Sequence, residues 1–76
     1  MRNREKVASV SVDSIEKGRE LEARLESIGV KVRAETISAG SGVRYQVIVQ
    51  ASDIKRLDQA RYEVGLHEVI PEIWNI

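Results

Sequence analysis

The apolar residues of this chain change their spacing in a fixed order, and that order restricts the available folds more than any other feature. "VASVSV" (7–12) alternates, with Ala8, Val10 and Val12 on one side and Val7, Ser9 and Ser11 on the other. A period of two rich in β-branched residues predicts a strand with one buried face. In "DSIEKGRELEARLESIG" the spacing becomes three and four. Ile15, Gly18, Leu21, Leu25 and Ile28 fall on one stripe, which predicts a helix over 14–28. Asp13 is placed to cap its first turn, with Glu16 at the reciprocal spacing, and Gly29 to end it in the left-handed conformation. Alternation returns in "VKVRAETI" (30–37), where Val30, Val32 and Ala34 oppose Lys31, Arg33 and Glu35. "SAGSG" predicts a flexible hairpin connection to "VRYQVIVQ" (43–50), which alternates again except at Ile48. A second stripe of Ile54, Leu57, Ala60 or Arg61, and Val64 predicts a helix over 53–64, capped by Ser52 and stopped at Gly65. The closing "LHEVIPEIWNI" predicts a strand over 67–74, interrupted by Pro71. Residues 1–6 are read as a basic, flexible tail.

Strand, helix, strand, strand, helix, strand is the order of a single α+β domain, 1–76. Two right-handed strand-helix-strand units joined by a hairpin predict a ferredoxin-like βαββαβ fold: a four-stranded antiparallel sheet with both helices on one face. Its first and third strands would be central. Proline is confined mainly to edges and bulges, so Pro71 suits a fourth strand at an edge. A chain of 76 residues buries only ~60% of its unfolded surface, so its core must be well patterned or completed by a partner. Residues that are 42% apolar and 32% charged fit a folded chain. Twelve basic residues offset twelve acidic ones, so no net field attracts nucleic acid or an anionic membrane. The lack of cysteine excludes disulfides and thiolate chemistry and is compatible with a reducing compartment. No apolar run approaches the ~20 residues of a membrane helix. The basic start lacks a signal-type apolar segment after it. The expectation is a cytoplasmic protein with no membrane contact.

Catalytic chemistry finds little support. His67 is the single histidine, with Glu63 and Glu68 as its nearest acidic neighbours, and one histidine without a spaced second ligand is a poor metal signature. A surface or turn role is the default. "SAGSG" lacks the lysine and the following helix of a phosphate cradle. Ser38 and Ser41 have no nearby base. The interleaved charges of both helices read as solvated faces, each pair worth ~0.2–0.5 kcal/mol. No enzyme activity, cofactor or metal is expected.

Binding is better supported. Val7, Ile48 and alternate residues of the last strand (Ile70, Trp74 and Ile76, or else Val69 and Ile73) cannot all face two helices. Tryptophan is enriched at interface anchors, and apolar patches on small domains often mark contacts. The open sheet face and the fourth-strand edge are therefore the candidate association surface, with Ile48, Ile70, Trp74 and Ile76 beside Arg44 and Gln46. A homo-oligomer or another protein is the expected partner. A single-stranded nucleic-acid site built on Arg2, Arg4, Lys6 and Arg33 is the weaker alternative, because no aromatic pair lies on the open side of the central strands. A small-molecule sensor with a cleft between protomers is the other.

"SVSVDSIEKGRELEARLESIGVKVRAE" followed by "VRYQVIVQASDIKRLDQA" resembles the small signal-transducing domains with a PII-like, ferredoxin-type fold. In that family a strand leads into a helix ending in a "LLEAxGI"-like turn, matched here by Leu25, Glu26, Ser27, Ile28, Gly29 and Val30. A later strand matches at Val47, Ile48 and Val49. The resemblance spans about residues 7–64 and implies regulation or binding. A looser similarity to peptidoglycan-binding SPOR domains lacks their "VGxF" features. An acylphosphatase-like reading fails because "DSIEKG", not a glycine-rich loop with arginine, follows the first strand.

Overall fold

The structure, a computed structural model, describes residues 6–40 and 42–75. In chain order it contains β1 (Lys6–Val12), α1 (Ile15–Ser27), β2 (Val32–Ala39), β3 (Gly42–Gln50), a 3-10 turn (Ala51–Asp53), α2 (Ile54–Glu63) and β4 (Glu72–Asn75). The four strands form one antiparallel sheet in the order β2-β3-β1-β4. The fold is α+β, with β1 and β3 in the middle and β2 and β4 at the edges.

Register decides which side chains share a face, because directly opposed residues of an antiparallel pair point the same way. Ala8 opposes Val49, Val10 opposes Val47, and Val12 opposes Tyr45. On the same side, β2 sets Val32 against Val49 and Ala34 against Val47. These residues meet Leu21 and Leu25 of α1 and Leu57 and Ala60 of α2 in one cluster. Both helices thus cover one face, and the smallest dimension of 18 Å suits two layers.

α1 starts one residue later than expected. Ser14, not Asp13, is the cap: its backbone is extended and its hydroxyl accepts from the Lys17 amide at 3.2 Å. The buried stripe is also shorter, comprising Gly18, Leu21 and Leu25. Ile15 and Ile28, at the two ends of the expected stripe, are 42% and 48% exposed and stay outside the core. At the C-terminus, Gly29 adopts a φ of 86° while its amide bonds to Glu26 O and the Val30 amide to Leu25 O. This pair of bonds satisfies carbonyls the helix cannot. Val30 is therefore taken up in ending the helix, and β2 begins at Val32 rather than residue 30. Gly65, with φ 89°, ends α2 through the same two bonds, to Tyr62 O and Arg61 O.

The connection within "SAGSG" is shorter than expected, because the ladder runs to Ala39 opposite Gly42. Nor does Ser52 cap α2. A 3-10 turn precedes the helix, and Asp53 at the cap position spends its carboxylate on Arg56, 2.7 Å away, rather than on an amide. Ala60, not Arg61, takes the core position. Arg61 turns back to Asp58 Oδ1 (2.8 Å from Nε) and donates from Nη1 to the carbonyls of Leu66 and His67. That staple fixes the carbonyls of residues 66 and 67 in the turn after α2, and β4 is only Glu72–Asn75 rather than 67–74. Pro71 sits just before the strand, where its missing N–H costs no ladder bond.

Polar contacts join the helices. Arg24 Nε donates to Glu63 Oε1 at 2.8 Å, and Lys17 Nζ donates to Val64 O at 2.9 Å, at the negative end of α2. The Arg24 contact, assisted by Gln59, lowers the Glu63 pKa. Below the sheet-facing stripe, Tyr45 Oη donates to Glu22 Oε1 at 2.6 Å. This bond, with burial and the negative charge of Glu22, raises the Tyr45 pKa above 10.0, against a smaller opposing effect of Arg19. Because the folded state holds the phenol proton more tightly than the unfolded chain, stability falls as pH rises from about 10 through the raised value. Tyr45→Phe should flatten that alkaline slope in denaturant titrations between pH 9 and 12; an unchanged slope would disprove the assignment.

Candidate interaction surface on the open sheet face

The second face of the sheet is built from the opposite parity of the same strands. Ser9 stands between Ile48 of β3 and Glu72 of β4, and Ile48 in turn opposes Arg33 of β2. One step along, Ser11 opposes Gln46, which opposes Glu35. In the other direction Val7 lies between Gln50 and Trp74. Arg44 opposes Ile37 on the far side of Gln46.

Several polar groups of this face bond to one another. Arg44 Nε donates to Ser11 Oγ and Arg44 Nη2 to Ser11 O, both at 2.9 Å. Gln46 Nε2 donates to Ser9 Oγ at 3.2 Å, and Trp74 Nε1 donates to the same oxygen at 2.9 Å. Trp74 therefore reaches from the edge strand across β1. Ser9 is only 3% exposed, and its hydroxyl supplies the partner that a half-buried indole N–H needs. The indole is pinned rather than loose.

The apolar surface is distributed differently from the sequence expectation. Ile48 lies on this face as expected, yet it is 8% exposed, and Val7 is 6% exposed. Trp74, opposite Val7 and bonded to Ser9, borders the same shallow depression as both of them. Neither offers much surface for contact. What remains open is a rim: Ile37 at 39%, Trp74 at 50% and Ile70 at 73% exposed. Between these three side chains runs a groove of about 770 Å³ floored by Ser9, Ser11, Arg44 and Gln46. Arg44, Gln46, Ile70 and Trp74 are thus brought together as expected of one surface. Ile76, Arg2 and Arg4 lie outside the described residues.

Of the basic residues proposed for nucleic acid, the two described ones are not gathered. Lys6, expected in a flexible tail, instead opens β1 opposite Asn75 and belongs to its helix-side parity, whereas Arg33 belongs to the open face of the far edge. Glu35 and Glu72 share that open face, and Glu68 borders its groove. Sequence reading passed over Ser9, Ser11 and Ile37. The two serines in "VASVSV" were a signal: small polar residues on the open parity of a central strand leave room for a large neighbour to lie across them. His67 stacks on Tyr62, with ring centroids 4.2 Å apart, and its Nε2 lies 3.0 Å from the Tyr62 carbonyl, to which it donates. It stitches the turn after α2. Among the described residues no cluster of three metal-ligating side chains occurs.

This is a small two-layer α+β domain with a pinned tryptophan on a sheet face that no helix among the described residues covers. No protein-family model matches the chain, and no curated protein does. Over 87% of its length it is similar in fold to the cytoplasmic N-terminal domain of subunit I, a homologue of subunit a, of a V-ATPase, with a TM-score of 0.60 and 15% identity. The chain spans only 22% of that chain's length. Over 97% of both chains it is similar to the de novo designed protein Foldit4, with a TM-score of 0.51 and 22% identity. At these identities the likeness is one of fold.

Proposed function

We propose that the chain is a noncatalytic, cytoplasmic protein-interaction or regulatory module of ferredoxin-like topology that associates through its open sheet face. One observation carries this reading. Ile37, Trp74 and Ile70 stand 39%, 50% and 73% exposed around a floor in which Arg44 already donates to Ser11 and Gln46 to Ser9. The bonds that Ser9 and Ser11 already accept reduce the polar cost of covering that floor, and an immobilised indole loses little entropy on contact. The sheet order with β1 and β3 central and the position of β4 at an edge support the ferredoxin-like reading. A nucleic-acid role gains less support, because Glu35 and Glu72 share the face on which phosphates would have to lie.

Trp74→Ala combined with Ile70→Ser should weaken association at least about tenfold, as expected for removal of an interface anchor. Far-UV circular dichroism should remain unchanged, since neither side chain belongs to the helix-covered core. Sedimentation and affinity capture report the loss. Full association by the double variant would rule out this face as the contact.

A further inference from the structure

We propose that the occupant of the open face is a second copy of this chain, laid face to face about a two-fold axis running along the strands. This inference rests on the interaction reading above and specifies its partner. The row that crosses the sheet through Ser9 reads Arg33, Ile48, Ser9, Glu72 from the β2 edge to the β4 edge. Its two ends carry opposite charges. A two-fold axis along the strands exchanges β2 with β4 and β3 with β1, so Arg33 comes over the partner's Glu72 and Glu72 over the partner's Arg33. The row beside it ends in Trp74 at one edge and, next to Gln50, in Lys31 at the other. The same axis sets each lysine over an indole.

Neither Arg33 nor Glu72 enters an ion pair among the described residues, so both are available. Facing sheets pack about 10 Å apart with strands crossing near 30°, a gap that arginine and glutamate together span. An axis across the strands would instead set Arg33 over the partner's Glu35 and leave Glu72 without a basic partner. The contact would draw on half the residues of four strands plus the 68–70 segment. At standard interface composition that is about 1,200 Å² in total, the lower limit for a specific interface. An apolar rim of Trp74, Ile70 and Ile37 supplies what so small an area needs.

Sedimentation equilibrium on the wild-type chain, Arg33→Glu, Glu72→Arg and the double exchange tests this, with the emission of the single tryptophan as a second readout. The wild type should dimerise with a concentration-dependent blue shift. Each single reversal should weaken the dimer by about tenfold or more, because it places like charges together at two symmetry-related sites. The double exchange should restore it. A wild type that stays monomeric at millimolar concentration overturns the second-copy partner but leaves the interaction reading to the Trp74/Ile70 variant. A dimer indifferent to both reversals overturns this charge-matched packing and leaves the open face to the Trp74/Ile70 variant. Rescue of Arg33→Glu by Glu35→Arg in place of Glu72→Arg overturns the axis.

Discussion

Gly18→Ala should destabilise this protein by about 1–3 kcal/mol, although alanine in a helix interior ordinarily contributes ~1 kcal/mol relative to glycine. The sign is the informative part. A Cβ built on Gly18 would lie 2.9 Å from Cε2 and Cγ of Tyr45, and nearer still to Cδ2. The ring has nowhere to retreat: Tyr45 is 8% exposed and its hydroxyl is tied to Glu22 of the same helix. Glycine is there because the aromatic ring packs directly on the helix backbone. Urea denaturation gives the comparison, and Tyr45→Leu supplies the cycle. In that background the alanine should be tolerated or mildly stabilising. Equal losses in both backgrounds would show that the ring contact is not the cause.

Leu21→Ala is the larger expected loss, about 2–5 kcal/mol, as for other leucines truncated in a packed core. Leu21 is fully buried at the junction of α1 with the sheet. For a domain of this size, whose whole stability is of the order of 4–11 kcal/mol, that is a large fraction. Ile28→Ala, on the same heptad-like stripe but 48% exposed, should cost well under half as much. The urea midpoints of the two variants measure the difference, and parity between them would contradict the packing described.

The strands and helices were legible because their apolar periods differ and each helix ends in a glycine. What the spacing could not supply was length of overlap. Ile15 and Ile28 keep the helical period yet stay exposed, so periodicity placed them on a buried stripe that packing does not extend to. The 67–71 segment carries strand-forming residues, yet it stays outside the sheet, and Arg61 holds the Leu66 and His67 carbonyls at its start. A contact between residues on a helix and in the turn behind it leaves no trace in local pattern. The caps failed for a similar reason: Ser14 stands beside the equally competent Asp13, and Asp53 is diverted to Arg56.

For the candidate surface, parity sufficed to place Arg44, Gln46 and Ile48 on one side of β3. It could not show that Trp74, distant in the chain, reaches Ser9 and helps close over Val7 and Ile48. The apolar excess in the sequence was real, but part of it is sheltered within the chain. The remainder is Trp74 and Ile70, both expected, joined by Ile37 on the β2 edge.

The claim on which this account depends is that helices shield one side of the sheet and another molecule occupies the opposite side. Hydroxyl-radical labelling read by mass spectrometry addresses it directly, comparing dilute protein with concentrated or partner-bound protein. Trp74, Ile70 and Ile37 should become protected, while Tyr62, 60% exposed on α2, should react as before. Undiminished labelling of those three side chains, or protection centred on Tyr62 instead, would contradict it.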